Sequence, residues 1–323
     1  MLRHFVDLFD LAPAEARGLL DRALELKRED ERGKRDALLA GRTLGLMFEK
    51  PSLRTRVSFE AAIAHLGGNA IFLRGKDVGL GSRESVADFA RVTSQYVDAL
   101  AVRTFSHTTV EELARHATVP VINALSDAAH PCQALADMMT IRESLGVLEG
   151  VRLVFVGDGN NVARSLALAC ALLGLEFVLA CPPGYEFHSE FRARYLTAFP
   201  GVPLRVEHAP RQAVAGAEVV YTDVWASMGQ ESEAEQRQPV FSSFRVDDDL
   251  LSHARPGAIF LHCLPARRGE EVTSEVLDGP RSRVILQAAN RLHLQKALLV
   301  WLLTGEPRAP ARRNRRPRSR TQG

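Results

Sequence analysis

The chain has only four cysteines in 323 residues, Cys132, Cys170, Cys181 and Cys263, and no two of them form a Cys-x-x-Cys pair. That spacing leaves no zinc knuckle and no redox pair, and so few scattered thiols make no disulfide framework. Long apolar runs are missing too. None reaches the roughly 20 residues of a membrane span. The opening Met1–Asp10 carries Arg3, Asp7 and Asp10 and lacks the apolar centre of a signal peptide. These absences predict a cytoplasmic protein with no membrane partner. There is no short-period repeat and little excess of charge: the net value is +2, and seven arginines sit between Arg308 and Arg320 among prolines and serines. Without them the remainder is mildly acidic, whereas a nucleic-acid protein spreads basic surface over its fold. Segment 307–323 cannot pack a core and is expected to be a disordered arginine-rich tail. The simpler role for it is a solvated extension, with an RNA contact as the other.

Short apolar runs alternate with amphipathic stretches over the rest of the chain. Thr43–Phe48, Ala70–Leu73, Ala99–Val102 and Val119–Asn123 read as one series of strands. Val151–Val156, Glu176–Ala180, Glu218–Thr222, Ala258–Leu261 and Val284–Leu286 read as a second. Strands separated by helices imply parallel sheets covered on both faces, so the predicted class is α/β with two doubly wound domains. The length also exceeds what one core usually fills. The predicted bounds are 1–146 and 147–289, with a leucine-rich helix 290–304 packing back on the first domain. Unusual residues gather where each run stops, the edge at which doubly wound folds bind ligands. Two such edges facing each other make a cleft.

The first of these clusters is Ser52-Leu-Arg-Thr-Arg56, which puts Arg54 and Arg56 in the opening turn of a helix. Cations oppose the dipole there unless an anion is bound, and Ser52 and Thr55 add hydroxyl donors, so the segment describes a phosphate-type pocket. Ser52 acting only as an N-cap is the plain alternative. His130-Pro-Cys-Gln133 opens another helix with Pro131 at its first position. The positive helix end favours a neutral imidazole at His130, and Gln133 can offer an amide one turn on. Gly157-Asp-Gly-Asn-Asn161 follows a strand but has Val162 where a dinucleotide fingerprint has its third glycine. It reads as a tight turn presenting Asn161, which disfavours a nicotinamide oxidoreductase. No Walker pattern occurs. Asp223 leaves a strand and enters the polar stretch Glu231–Ser243, long enough to be a mobile lid. Asp223 suits an ammonium and the Ser227–Gly229 backbone a carboxylate, so an amino acid is a plausible guest; an Asp cap is the alternative. In His262-Cys263-Leu-Pro265 the two adjacent side chains point to opposite faces of a strand, so His262 is not expected to activate Cys263 as a nucleophile. Cys263 reads as a positioning group, Cys170 and Cys181 as core.

Those motifs, with Leu135-Ala-Asp137 and Asn290-Arg291, resemble the ornithine carbamoyltransferases over essentially the whole folded length. The resemblance implies transfer of a carbamoyl group from carbamoyl phosphate to the side-chain amine of L-ornithine, with no metal and no cofactor. It implies that Ser52, Leu53, Arg54 and Thr55 hold the phosphate, Leu53 through its backbone. Arg103, His130 and Gln133 hold the carbamoyl end, and Cys263, Leu264 and Arg291 close the pocket. Asn161, Asp223, Ser227 and Met228 would hold ornithine. Arg54, Arg103, His130 and Cys263 are the implied catalytic group. The first domain becomes the carbamoyl phosphate-binding one and the second the ornithine-binding one. Similar proteins are homotrimers in which a neighbour's loop, here around Lys76–Arg83, reaches the site. The chain departs from the commonest pattern at Leu53, where threonine is usual, at Gly79 for glutamine and at Ala289 for glutamate. Leu53 also occurs in relatives acting on acylated ornithines, so an acylated ornithine or another amine is the alternative acceptor.

Overall fold

The structure is a computed structural model that describes residues 2–80, 83–226 and 233–305. Among the described residues, nine strands form two all-parallel sheets. Strands β1 (Thr43–Phe48), β2 (Asn69–Arg74), β3 (Ala99–Arg103) and β4 (Val121–Leu125) lie in the order β2-β1-β3-β4. Strands β5 (Arg152–Val156), β6 (Glu176–Ala180), β7 (Arg205–Glu207), β8 (Val219–Thr222) and β9 (Ile259–His262) lie in the order β7-β6-β5-β8-β9. Each sheet reverses its winding once, between β1 and β3 in the first and between β5 and β8 in the second. Loops leave in opposite directions at such a point and open a crevice at the carboxyl edge.

Strands β1, β3 and β4 of the first sheet and β5, β6, β8 and β9 of the second are buried on both faces, which is why they read as continuous apolar runs, while the edge strands β2 and β7 are partly exposed. Leu44, Leu46 and Phe48 of β1 pack on one side while Met47 packs on the other. Leu153 and Phe155 of β5 oppose Val154 and Val156 in the same way. One core is shared by the two sheets. Ala101 of β3, Leu135 of the helix Pro131–Leu145, Leu166 of the helix Asn161–Leu173 and Leu179 of β6 belong to it together.

The last described helix runs from Val284 to Thr304 and packs against the helices Pro13–Glu31, Leu53–His65 and Pro131–Leu145. Val284–Leu286 is therefore helical, against the strand expected there, and the returning helix starts before 290. A three-residue apolar run fits a buried helix turn as well as a strand. The extended pairing does exist just upstream: Phe260 N–H donates to Arg281 O at 2.9 Å, and Arg283 N–H donates to Phe260 O at 2.9 Å. The short β7, half-exposed at the sheet edge, had no sequence signal. The polar stretch expected as a lid contains a helix, Ala234–Phe241, whose Phe241 is fully buried against Tyr185, Trp225 and Phe244. The tail 307–323 lies outside the described residues.

Candidate active site

A cavity of about 790 Å³ lies between the carboxyl edges of the two sheets. Its first wall is the chain leaving β1. Ser52 caps the helix Leu53–His65, its Oγ accepting from Thr55 N–H at 3.3 Å, and the same Oγ–H donates to Thr55 Oγ1 at 3.0 Å. Arg291, from the returning helix, donates from Nη2 to Thr55 Oγ1 at 2.8 Å. Thr55 Oγ1 thus accepts twice, and neither bond uses its own hydroxyl proton. Arg54 lines the cavity; Leu53 lines it too, with its side chain 77% exposed. Arg56 does not join them. It bonds Glu60 at 2.9 Å and lies over the Phe72 ring, on the outer side of the helix. Lys50, which adjoins the motif without belonging to it, is buried in the wall with its ammonium 4.3 Å from the Phe105 ring centre.

Arg103 ends β3, and His130 is the N-cap residue of the helix Pro131–Leu145. Burial lowers the Arg103 guanidinium to about 10, and the neighbouring charges of Arg291 and Arg54 add to that. Burial, then Arg291 and Arg103, holds the His130 imidazole well below 6.5, so it is neutral at physiological pH. The helix end alone favours a neutral ring; desolvation and the two guanidiniums are the larger causes. Converging cations that depress one another mark a place where an anion is favourable.

Gln133 stands behind the wall. It does not line the cavity: its Nε2 donates to Asp137 Oδ1 at 2.8 Å, and its Oε1 accepts from Arg291 Nη1. Its carbonyl oxygen thus braces Arg291, and one hydrogen of its NH2 group is engaged by Asp137.

The opposite wall leaves β5 and β8. Gly159 is required because a Cβ there would stand 2.8 Å from the carbonyl carbon of Glu186. Asn160 caps the helix Asn161–Leu173 through Val162 and Ala163 N–H, and its Nδ2 donates to Asp223 Oδ2 at 3.2 Å. Asn161 lines the cavity, and its Nδ2 donates across to Ser126 O at 2.7 Å. Cys263 Sγ–H donates to Asp223 Oδ1 at 3.2 Å. Burial, reinforced by Asp223, holds the thiol well above 9, so Cys263 remains a protonated donor and is not poised as a nucleophile. Leu264 lines the cavity with φ +58°, its N–H donating to His262 Nδ1 at 2.8 Å. Ser227 and Met228 lie outside the described residues.

Asp223, His262 and Cys263 place one donor atom each within 4.8 Å of one another, the spacing of a metal site. Their chemistry does not fit one. His262 Nε2 lies 3.0 Å from Glu271 Oε1, to which it donates, and Nδ1 already accepts from Leu264 N–H, so neither nitrogen offers a lone pair. The thiol keeps its proton.

Arg237, buried beneath the second wall, donates to Asp158 Oδ2 at 2.6 Å and to Trp225 O at 3.0 Å. A lone arginine among polar residues gave sequence reading no signal. Arg237→Met leaves Asp158 without its partner and is expected to cost about 3 kcal/mol in urea unfolding. The added loss on combining it with Asp158→Asn should be small; a fully additive pair would show that the two do not interact.

Two parallel sheets thus face each other across a cavity, with guanidiniums suited to an anion on one edge and a carboxylate with amides on the other. Residues 3–143 match the family model described as aspartate/ornithine carbamoyltransferase, carbamoyl-P binding domain. Residues 149–302 match the Asp/Orn binding domain of the same family. The chain belongs to the aspartate/ornithine carbamoyltransferase family. It is 51% identical over 303 residues to an ornithine carbamoyltransferase of Anoxybacillus flavithermus, covering 93% of this chain and 96% of that one. It is 52% identical over 305 residues to one of Pyrococcus furiosus named anabolic, covering 94% and 97%. The solved ornithine carbamoyltransferase from Pyrococcus furiosus superposes with a TM-score of 0.91 at 51% identity, covering 94% of this chain and 98% of that one.

Proposed function

We infer that this chain is an ornithine carbamoyltransferase, transferring the carbamoyl group of carbamoyl phosphate to the side-chain amine of L-ornithine to give L-citrulline and phosphate. The observation that carries the reading is full-length identity near 50% to proteins of that name, together with an anion pocket facing Asp223 and Cys263 across one cavity. The relatives' acceptor is ornithine, which disfavours the acylated alternative. Carbamoyl phosphate places its phosphate on the opening turn of the helix Leu53–His65 and on Arg54, and its carbonyl toward Arg103, His130 and the Thr55 hydroxyl. Ornithine places its amino-acid head on Asn161 and Asp223, the carboxylate meeting its α-ammonium, and leaves its side-chain amine facing the carbamoyl carbon.

The neutral amine attacks the carbonyl carbon, the C–N bond forms, and an oxyanion develops between the Arg103, Thr55 and His130 donors. Collapse breaks the C–O bond and releases phosphate, which takes the proton the amine gives up. Fixing two reactants and aiming donors at the developing charge supplies the rate, and the bonds that change require no redox centre. The name of the Pyrococcus furiosus relative supports the biosynthetic direction. A cytoplasmic homotrimer with the neighbour's loop around Lys76–Arg83 at the site belongs to the same reading; among the described residues no helix is long and apolar enough to cross a membrane. Purified protein incubated with carbamoyl phosphate and ornithine, acetylornithine, aspartate or putrescine is expected to form citrulline from ornithine. A product only from another acceptor would replace ornithine in this account.

A further inference from the structure

Behind the cavity, both walls rest on one carboxyl group. Asp137, fully buried on the helix Pro131–Leu145, receives three hydrogen bonds from three elements. Gln133 Nε2 donates to its Oδ1 at 2.8 Å, Gln287 Nε2 to the same oxygen at 2.7 Å, and Tyr221 OH to its Oδ2 at 3.1 Å. From there the bonds run both ways. Toward the phosphate half, Gln133 Oε1 accepts from Arg291, whose other nitrogen holds Thr55. Toward the amino-acid half, Tyr221 belongs to β8, two residues before Asp223, and Gln287 Oε1 accepts from His262 N–H at 3.0 Å, one residue before Cys263. No other carboxylate among the described residues bonds to both halves of this network.

We propose that Asp137 is a positioning residue that couples the two substrate half-sites, so that carbamoyl phosphate seated on Arg291 and Thr55 sets Asp223 and Cys263 for the amino acid. This rests on the carbamoyl-transfer reading above. The coupling requires Asp137 as an acceptor. All three of its partners reach it as donors, so a proton on the carboxyl removes the charge that strengthens those bonds and competes with Tyr221 at Oδ2, and the bridge loosens. Burial, opposed by the bonds from Gln133, Gln287 and Tyr221, raises Asp137 to about 7, which puts the change within the working range. The titratable groups facing it are Arg291 on the returning helix, Tyr221 on β8, Cys263 after β9 and Cys170 on the helix Asn161–Leu173. The thiols and the phenol are all held above their usual values by burial, so Asp137 is the group among them that titrates near neutrality.

The test measures how much phosphonoacetamide, a stable mimic of carbamoyl phosphate, tightens L-norvaline, which is ornithine without its amine. At pH 8 the full-length protein is expected to show a coupling within the usual range of about 5- to 150-fold, falling as pH drops through about 7. Asp137→Asn mimics the protonated carboxyl and should show little coupling at any pH while each ligand alone still binds. Tyr221→Phe, which removes one hydroxyl and keeps the ring packed on Phe155, should lower the coupling in the same direction. Full coupling in Asp137→Asn, or in Tyr221→Phe should the former fail to fold, overturns the proposal, as does a pH-independent coupling in the unaltered protein. Failure of the unaltered protein to bind phosphonoacetamide or to form citrulline would instead overturn the transferase reading.

Discussion

Arg103→Ala is expected to lower kcat by about a hundredfold to a thousandfold, the usual cost of losing one donor to a developing oxyanion. Arg103 ends β3 with 5% of its surface exposed, so its position is set by the sheet and not by a loop. At about 10 it is still charged at neutral pH, although burial and two neighbouring guanidiniums weaken its hold on its proton. A bound oxyanion relieves that crowding, so the interaction strengthens as charge grows on the carbonyl oxygen, which is the condition for raising turnover and not only affinity. Arg103→Lys restores the charge without the planar fork and should recover only part of the loss. Steady-state kinetics with saturating ornithine would check both variants; a kcat within about threefold of the unaltered protein in Arg103→Ala would remove Arg103 from the reaction.

Arg54→Ala is expected to act on binding. One charge-assisted bond to phosphate is worth roughly 1.5–3 kcal/mol, so the Kd for carbamoyl phosphate should rise by about tenfold to a hundredfold, with a smaller change in affinity for the amino acid. The fold should survive: Arg54 is half-exposed, and the helix is held from beneath by Phe59, Ala62 and Ile63, all fully buried. Calorimetry with phosphonoacetamide reads the affinity directly and thermal unfolding reads the fold. An unchanged Kd would mean that the anion is held by the helix N–H groups and the other guanidiniums alone.

Among the described residues, eight of the nine strands were legible: seven because burial on both faces leaves uninterrupted apolar runs, and the half-exposed edge strand β2 because Ala70–Leu73 is still apolar; the winding that faces the two edges follows from their alternation with helices. The motifs at those edges were legible for the same reason, since Arg103 ends a strand and Ser52, His130, Asn161 and Asp223 each stand close behind one. What was not legible depends on distance along the chain. The bond from Arg291 to Gln133 spans 158 residues, and the Asp137 bridge joins residues 84 and 150 positions apart. Arg56 repeated the pattern of Arg54, but a helix turns about 200° over two residues and carried it to the other side. Val284–Leu286 was too short to distinguish a strand from the first turn of a helix.

Arg291 lies 236 residues after the Thr55 it braces. A nascent chain emerging from the ribosome therefore has its first sheet, its Ser-Leu-Arg-Thr turn and most of its second sheet before the strut between them exists. The anion pocket cannot be finished until the final long helix is released and docks, and contacts of such wide separation form late. A polypeptide interrupted shortly before residue 284 would keep nearly every motif on which the family is recognised and yet lack a competent grip on phosphate.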